Sequence, residues 1–71
     1  MITKNDLLIT VHAADKIAIE GISVEQICIA LERGSKFKQT EGYLVVCTYF
    51  SVAYKIVRNK YKIKSVFINR S

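Results

Sequence analysis

The sequence predicts an α+β fold: an N-terminal αα-hairpin packed on a three- to four-stranded antiparallel meander. Three observations predict it. Apolar residues in the first 33 positions recur at helical spacing. The remainder is rich in β-branched and aromatic residues broken by turn formers. The charge divides along the same line. Residues 1–35 carry three basic against five acidic side chains, net −2, and residues 36–71 carry eight against one, net +7.

The first helix is expected over residues 4–20. Thr3 and Asp6 have the spacing of a capping box, with Ile2 and Leu7 as its hydrophobic staple. Leu7, Val11, Ala14 and Ala18 then follow a buried stripe. Ile9, Thr10 and Val11 are β-branched in a row, a place where the helix breaks or restarts, and there Thr10 serves as a second cap. Gly21 supplies a left-handed stop. The second helix is expected over 23–33. Ser23 is its N-cap, Gln26 the capping-box partner, and Ile22 with Ile27 the staple. Val24, Ile27, Cys28 and Leu31 form its apolar stripe, and Gly34 ends it.

Strands are expected over 36–40, 43–49, 52–58 and 61–68. Glu41-Gly42 makes the first turn, a turn near Phe50-Ser51 the second, and Asn59-Lys60 a two-residue hairpin loop, since asparagine tolerates positive φ. That loop sets a register in which Arg58 opposes Tyr61, Ile56 opposes Ile63 and Tyr54 opposes Ser65 on an apolar face. On the other face Lys55 opposes Lys64 and Val57 opposes Lys62.

With 71 residues the chain makes one domain, 1–71, of marginal stability. Its 51% apolar content makes a homodimer one way to hide apolar surface. No apolar run reaches the roughly 18 residues that span a membrane. A charged n-region followed by an apolar stretch is lacking, so no signal peptide is expected and the location read from the sequence is cytoplasmic. Cys28 and Cys47 read as reduced core residues. With one histidine and no paired C-x-x-C motif, no metal site and no cofactor is expected.

The basic half faces either a polyanion or plain solvent. In the first reading Lys55, Lys62 and Lys64 contact phosphates; in the second they keep a small apolar protein soluble. Tyr43, Tyr49, Tyr54 and Tyr61 interleave with these charges, as stacking or proton-carrying groups or as an amphipathic core rim. His12, on the flank of the first helix near Leu8 and Ile19, is either a general base or an ordinary surface histidine.

The stretch from Thr10 to Ser23, TVHAADKIAIEGIS, resembles the signature His-Ala-x-x-Arg-Met-x-x-Arg-Gly-Ile-Ser of a small prokaryotic family of unknown function. His12, Ala13, Gly21, Ile22 and Ser23 carry the identities. The first family arginine falls on Lys16, which keeps the charge, and the second on Glu20, which reverses it. That family is similar to RelE/BrnT-like toxins, which share the order of helices then sheet and cleave mRNA, often on the ribosome. The resemblance implies a RelE-like fold and metal-independent chemistry in which cations stabilise the phosphate. His12 or Tyr61 would move the proton, Arg58 or Arg70 would stabilise the pentavalent phosphate, and Lys55, Lys62 and Lys64 would hold the backbone. The partners it implies are RNA or the ribosome, with an acidic antitoxin as the protein alternative. A non-catalytic nucleic-acid-binding module and a homodimeric interaction domain are the competing expectations.

Overall fold

A computed structural model describes residues 1–68. Arg70, one of the expected phosphate contacts, lies outside the described residues. The chain runs β1 (Leu7–Ile9), α1 (Val11–Glu20), α2 (Val24–Arg33), β2 (Ser35–Gln39), β3 (Gly42–Val46), β4 (Phe50–Val57) and β5 (Lys60–Ile68). A short 3-10 turn over Lys4–Asp6 precedes β1. The strands form one mixed sheet in the order β1-β5-β4-β3-β2. β1 pairs parallel to β5, and the other neighbours pair antiparallel. The α+β class holds, with helices before most of the strands. The expected three or four strands become five, and one of them is parallel.

β1 replaces the first half of the expected helix 4–20. Leu7 pairs with Tyr61 and Ile9 with Ile63, so a segment that looks helical in isolation is captured by a strand more than fifty residues away. Thr10 makes the change of direction. Its hydroxyl donates to the Ile63 carbonyl at 2.9 Å and accepts from the Ala13 amide at 3.2 Å. One side chain therefore caps α1 and ties it to β5. The buried face of α1 also differs from the expected stripe. Ala13 is fully buried and Ile17 packs on the core, whereas Val11 is 80% exposed and Ala14 and Ala18 face outward. Anchored by Thr10 over β5, the helix turns its Ala13–Ile17 side to the sheet. His12 is exposed, and Leu8, its expected neighbour on the helix, is in β1.

The second helix forms as its caps dictate. The Ser23 hydroxyl accepts from the Gln26 amide at 3.1 Å, and the Gln26 side chain accepts from the Ser23 amide at 2.8 Å. Gly21 closes α1 at φ 70°. Ile27, Cys28, Ala30 and Leu31 are buried against Val45, Val52, Ile63 and Val66 of the sheet. Each large aliphatic side chain buried there contributes about 1.5–3 kcal/mol. Gly34 ends α2 with φ −71°, so its small size reflects packing rather than a left-handed turn. A Cβ there would lie 2.5 Å from Val45 Cγ2 and 2.7 Å from the Ala30 carbonyl oxygen.

Two turns shift by one residue. Thr40-Glu41 connects β2 to β3, and Gln39 pairs with Gly42. Gly42 has φ 131° and lies against the Tyr54 carbonyl, so both backbone and space call for glycine. The β4–β5 loop is Arg58-Asn59, with φ 52° and 65°, and Val57 pairs with Lys60. Positive φ at both loop residues is the type I′ pattern, whose twist matches the flanking strands. The expected register is therefore corrected. Ile56 opposes Tyr61, Lys55 opposes Lys62 and Tyr54 opposes Ile63; a bulge follows, and Ala53 opposes Ser65. The bulge has a clear cause. An unbroken strand would turn Ser65 and Phe67 inward after Ile63, whereas the extra residue turns Val66 inward instead. β3 stops at Val46, leaving the exposed Tyr49 in the β3–β4 connection.

Candidate nucleic-acid interface

Both helices pack on one face of the sheet, and among the described residues no helix lies on the other. Alternation along β4 and β5 sends Tyr54, Ile63 and Val66 toward the helices and Lys55, Lys60 and Lys62 to the uncovered face. Lys55 and Lys62 are direct cross-strand partners, with Leu8 of β1 beside Lys62. Of the expected cluster of Lys55, Lys62 and Lys64, the register brings together Lys55 and Lys62. The directly opposed pair is Lys55 with Lys62, while Lys64 occupies the bulge.

Two of these ammonium groups are held by backbone carbonyls. Lys60 Nζ donates to the Asn5 oxygen and Lys64 Nζ to the Glu41 oxygen, both at 3.0 Å. A carbonyl orients an ammonium without neutralising it. Among the described residues no carboxylate forms an ion pair with Lys55, Lys60, Lys62 or Lys64. The hairpin end of the uncovered face therefore carries concentrated, uncompensated positive charge, continued by the exposed Arg58 in the turn.

The expected proton carriers stand elsewhere. Tyr61 is half-buried and points to the helix side, opposite Lys60 and Lys62. There it joins an aromatic row with Tyr43 and Tyr54. The Tyr43 and Tyr54 rings stack with centroids 5.5 Å apart, and Tyr54 and Tyr61 tilt at 5.7 Å. Burial raises the Tyr54 phenol above its ordinary pKa, and the neighbouring Tyr61 and Tyr43 add to the effect. This row is core rim rather than a stacking surface. His12 lies on the first turn of α1, whose cap is anchored at Ile63 and Lys64, while Arg58 lies at the hairpin tip. Tyr61 and α1, which carries His12, thus lie on the helix side of the sheet, and the Lys55–Lys62 pair lies on the other.

Cys28 and Cys47 are not joined in a disulfide. Burial raises both above the ordinary pKa, and Glu32, Asp6 and Glu25 push Cys28 further. Among the described residues no group of three His, Cys, Asp or Glu side chains is placed to hold a metal. A shallow cleft of about 630 Å³ opens between the end of α2 and the β3–β4 connection. Among the described residues, Arg33 is its one charged lining residue.

Sequence reasoning missed three features of the uncovered face. The sequence places Lys60 in the loop, whereas it opens β5. Phe37 and Phe67 are about half exposed, at 54% and 49%, on strands whose faces depend on the bulge and the turn register. The polar flanks of Phe37 in Ser-Lys-Phe-Lys-Gln were the one available signal. No family model matches this chain, and neither does a curated protein or a solved structure.

Proposed function

We propose that this chain is an RNA-binding module that presents the β4–β5 hairpin to the phosphate backbone, a non-cleaving relative within a RelE-like fold. The observation that carries the reading is the direct opposition of Lys55 and Lys62 on an uncovered sheet face without a carboxylate partner. Like charges directly opposite destabilise a sheet by about 0.2–1 kcal/mol. A polyanion removes that cost and releases its counterions on binding. The resemblance of Thr10–Ser23 to the toxin-related signature supports RNA as the polyanion.

Binding is favoured over cleavage for two reasons. Metal-independent cleavage needs a base at the 2′-hydroxyl within reach of the cation that stabilises the phosphate. Tyr61 packs on the helix side, opposite in face to Lys55 and Lys62, and His12 is exposed on α1, which packs on that same side. The position of the second family arginine is Glu20, of the wrong sign for a phosphate contact.

The test is incubation of the purified protein with 5′-labelled single-stranded RNA, with and without EDTA, at low and high salt. A salt-sensitive shift with intact RNA is the expected result. EDTA-resistant cleavage leaving cyclic phosphate ends would replace the binding module with a toxin-type ribonuclease. Neither shift nor cleavage at low salt would overturn the RNA reading and leave an acidic protein or a second copy as the partner of the lysine face.

A further inference from the structure

The uncovered face of the sheet divides in two. Toward the hairpin tip it is cationic, with Lys55, Lys60 and Lys62. Away from the tip, cross-strand pairing builds two uncharged rows. One runs Ser65, Ala53, Leu44, Phe37 and the next Phe67, Ser51, Val46, Ser35. Phe37 lies at the β2 end of the first row and Phe67 at the β5 end of the second. Between the rings lie Leu44 and Val46 of β3 with the shorter Ala53, Ser51 and Ser65, among which Ser51 is buried, and Phe37 and Phe67 stay half exposed at the two sides, beside the lysines.

Aromatic rings next to a cationic track are what unpaired bases require: the phosphates follow the charge and the base faces lie on the rings. β2 and β5 are three strand spacings apart, about 14 Å. That span is several times the roughly 3.4 Å step of a stacked strand. The two rings therefore suit bases drawn out of the helical stack, whereas a duplex keeps its base faces covered and offers the rings nothing.

We propose that this half of the sheet is a stacking platform for single-stranded RNA, with one base on Phe37, a second on Phe67, and the backbone passing Lys55 and Lys62. The inference rests on the RNA-binding reading and adds to it a requirement for unpaired bases.

The test is fluorescence anisotropy of the full chain with labelled RNA of about 12 nucleotides. Three ligands of matched charge are compared: a mixed-sequence single strand, the same strand made abasic, and a duplex. The single strand is expected to bind about tenfold more tightly than either control. Phe37→Ala and Phe67→Ala should each lower single-strand affinity about tenfold and leave the abasic affinity unchanged. The chain contains no tryptophan, so Phe37→Trp adds a single reporter whose emission the base-bearing strand should quench and the abasic strand should not.

Equal binding of all three ligands, with Phe37→Ala neutral and the tryptophan unquenched, would overturn the platform and leave backbone binding intact. Absence of binding to every ligand would overturn both readings. A dimer in sedimentation that Phe37→Ala dissociates would overturn the platform by making this face an interface between copies.

Discussion

Lys55 and Lys62 stand directly opposite each other across β4 and β5, and the loop Arg58-Asn59 fixes that opposition by pairing Val57 with Lys60. Reversing one charge should therefore separate stability from binding. Lys55→Glu converts a repulsive pair into an attractive one and is expected to stabilise the fold by about 0.5 kcal/mol, or roughly 2–4 °C in Tm. The same change should weaken RNA binding. Thermal melting and a titration on one preparation check both signs. A destabilised variant would show that the lysine stem packs on the sheet more than its charge repels Lys62.

Gly34 sits where the end of α2 meets β3, under Val45 Cγ2 and the Ala30 carbonyl. Gly34→Ala forces one of them to move and is expected to cost about 1–3 kcal/mol in urea unfolding. A neutral result would mean that this junction is looser than the contacts around Gly34 indicate.

The orientation of α1 makes a paired prediction. Ile27 of α2 is fully buried, and Ile27→Ala is expected to cost about 2–5 kcal/mol. Val11 is largely exposed, and Val11→Ser should change stability by less than about 0.5 kcal/mol. Comparable losses at both positions would restore Val11 to the core and rotate the helix.

Tyr54 gives a pH dependence with a defined sign. Burial, and then Tyr61 and Tyr43, raises the folded-state phenol above its ordinary value of 10. The folded protein thus holds this proton more tightly than the unfolded chain. The resulting stability is complete below about pH 10 and is lost as pH rises through the folded value. Tyr54→Phe removes the linkage. Its stability should fall less than that of the parent between neutral pH and the alkaline range, measured by urea unfolding at each pH. Parallel decline in the two proteins would place the phenol in solvent.

What was legible in the sequence was local. The Ser23–Gln26 capping box, the Gly21 stop and the Ile27–Leu31 stripe follow from contacts a few residues apart, and α2 formed where they placed it. What was not legible depended on partners far along the chain. Leu7, Val11, Ala14 and Ala18 match a helical stripe, yet pairing of Leu7 with Tyr61 makes the first of these a strand residue and leaves the others exposed. The lysine face was legible because alternation survives a one-residue loop shift that moves both strands together. The partner of Lys55 was not, because that shift and the bulge decide it. The same bulge turned Val66 inward and Phe67 outward, and so hid the second ring of the proposed platform.

Whether the opposed lysines contact phosphate is decided by the salt dependence of single-stranded RNA binding, measured for the parent protein, Lys55→Ala, Lys62→Ala and their combination. A lysine that contacts phosphate contributes about 0.7 to the slope of log affinity against log salt. The parent slope should be steep, shallower by about that amount with each lysine removed, and by about twice as much in the double variant. Identical slopes in all four proteins would contradict phosphate contact, and the opposed lysines would then be a solvated face with no role in RNA binding.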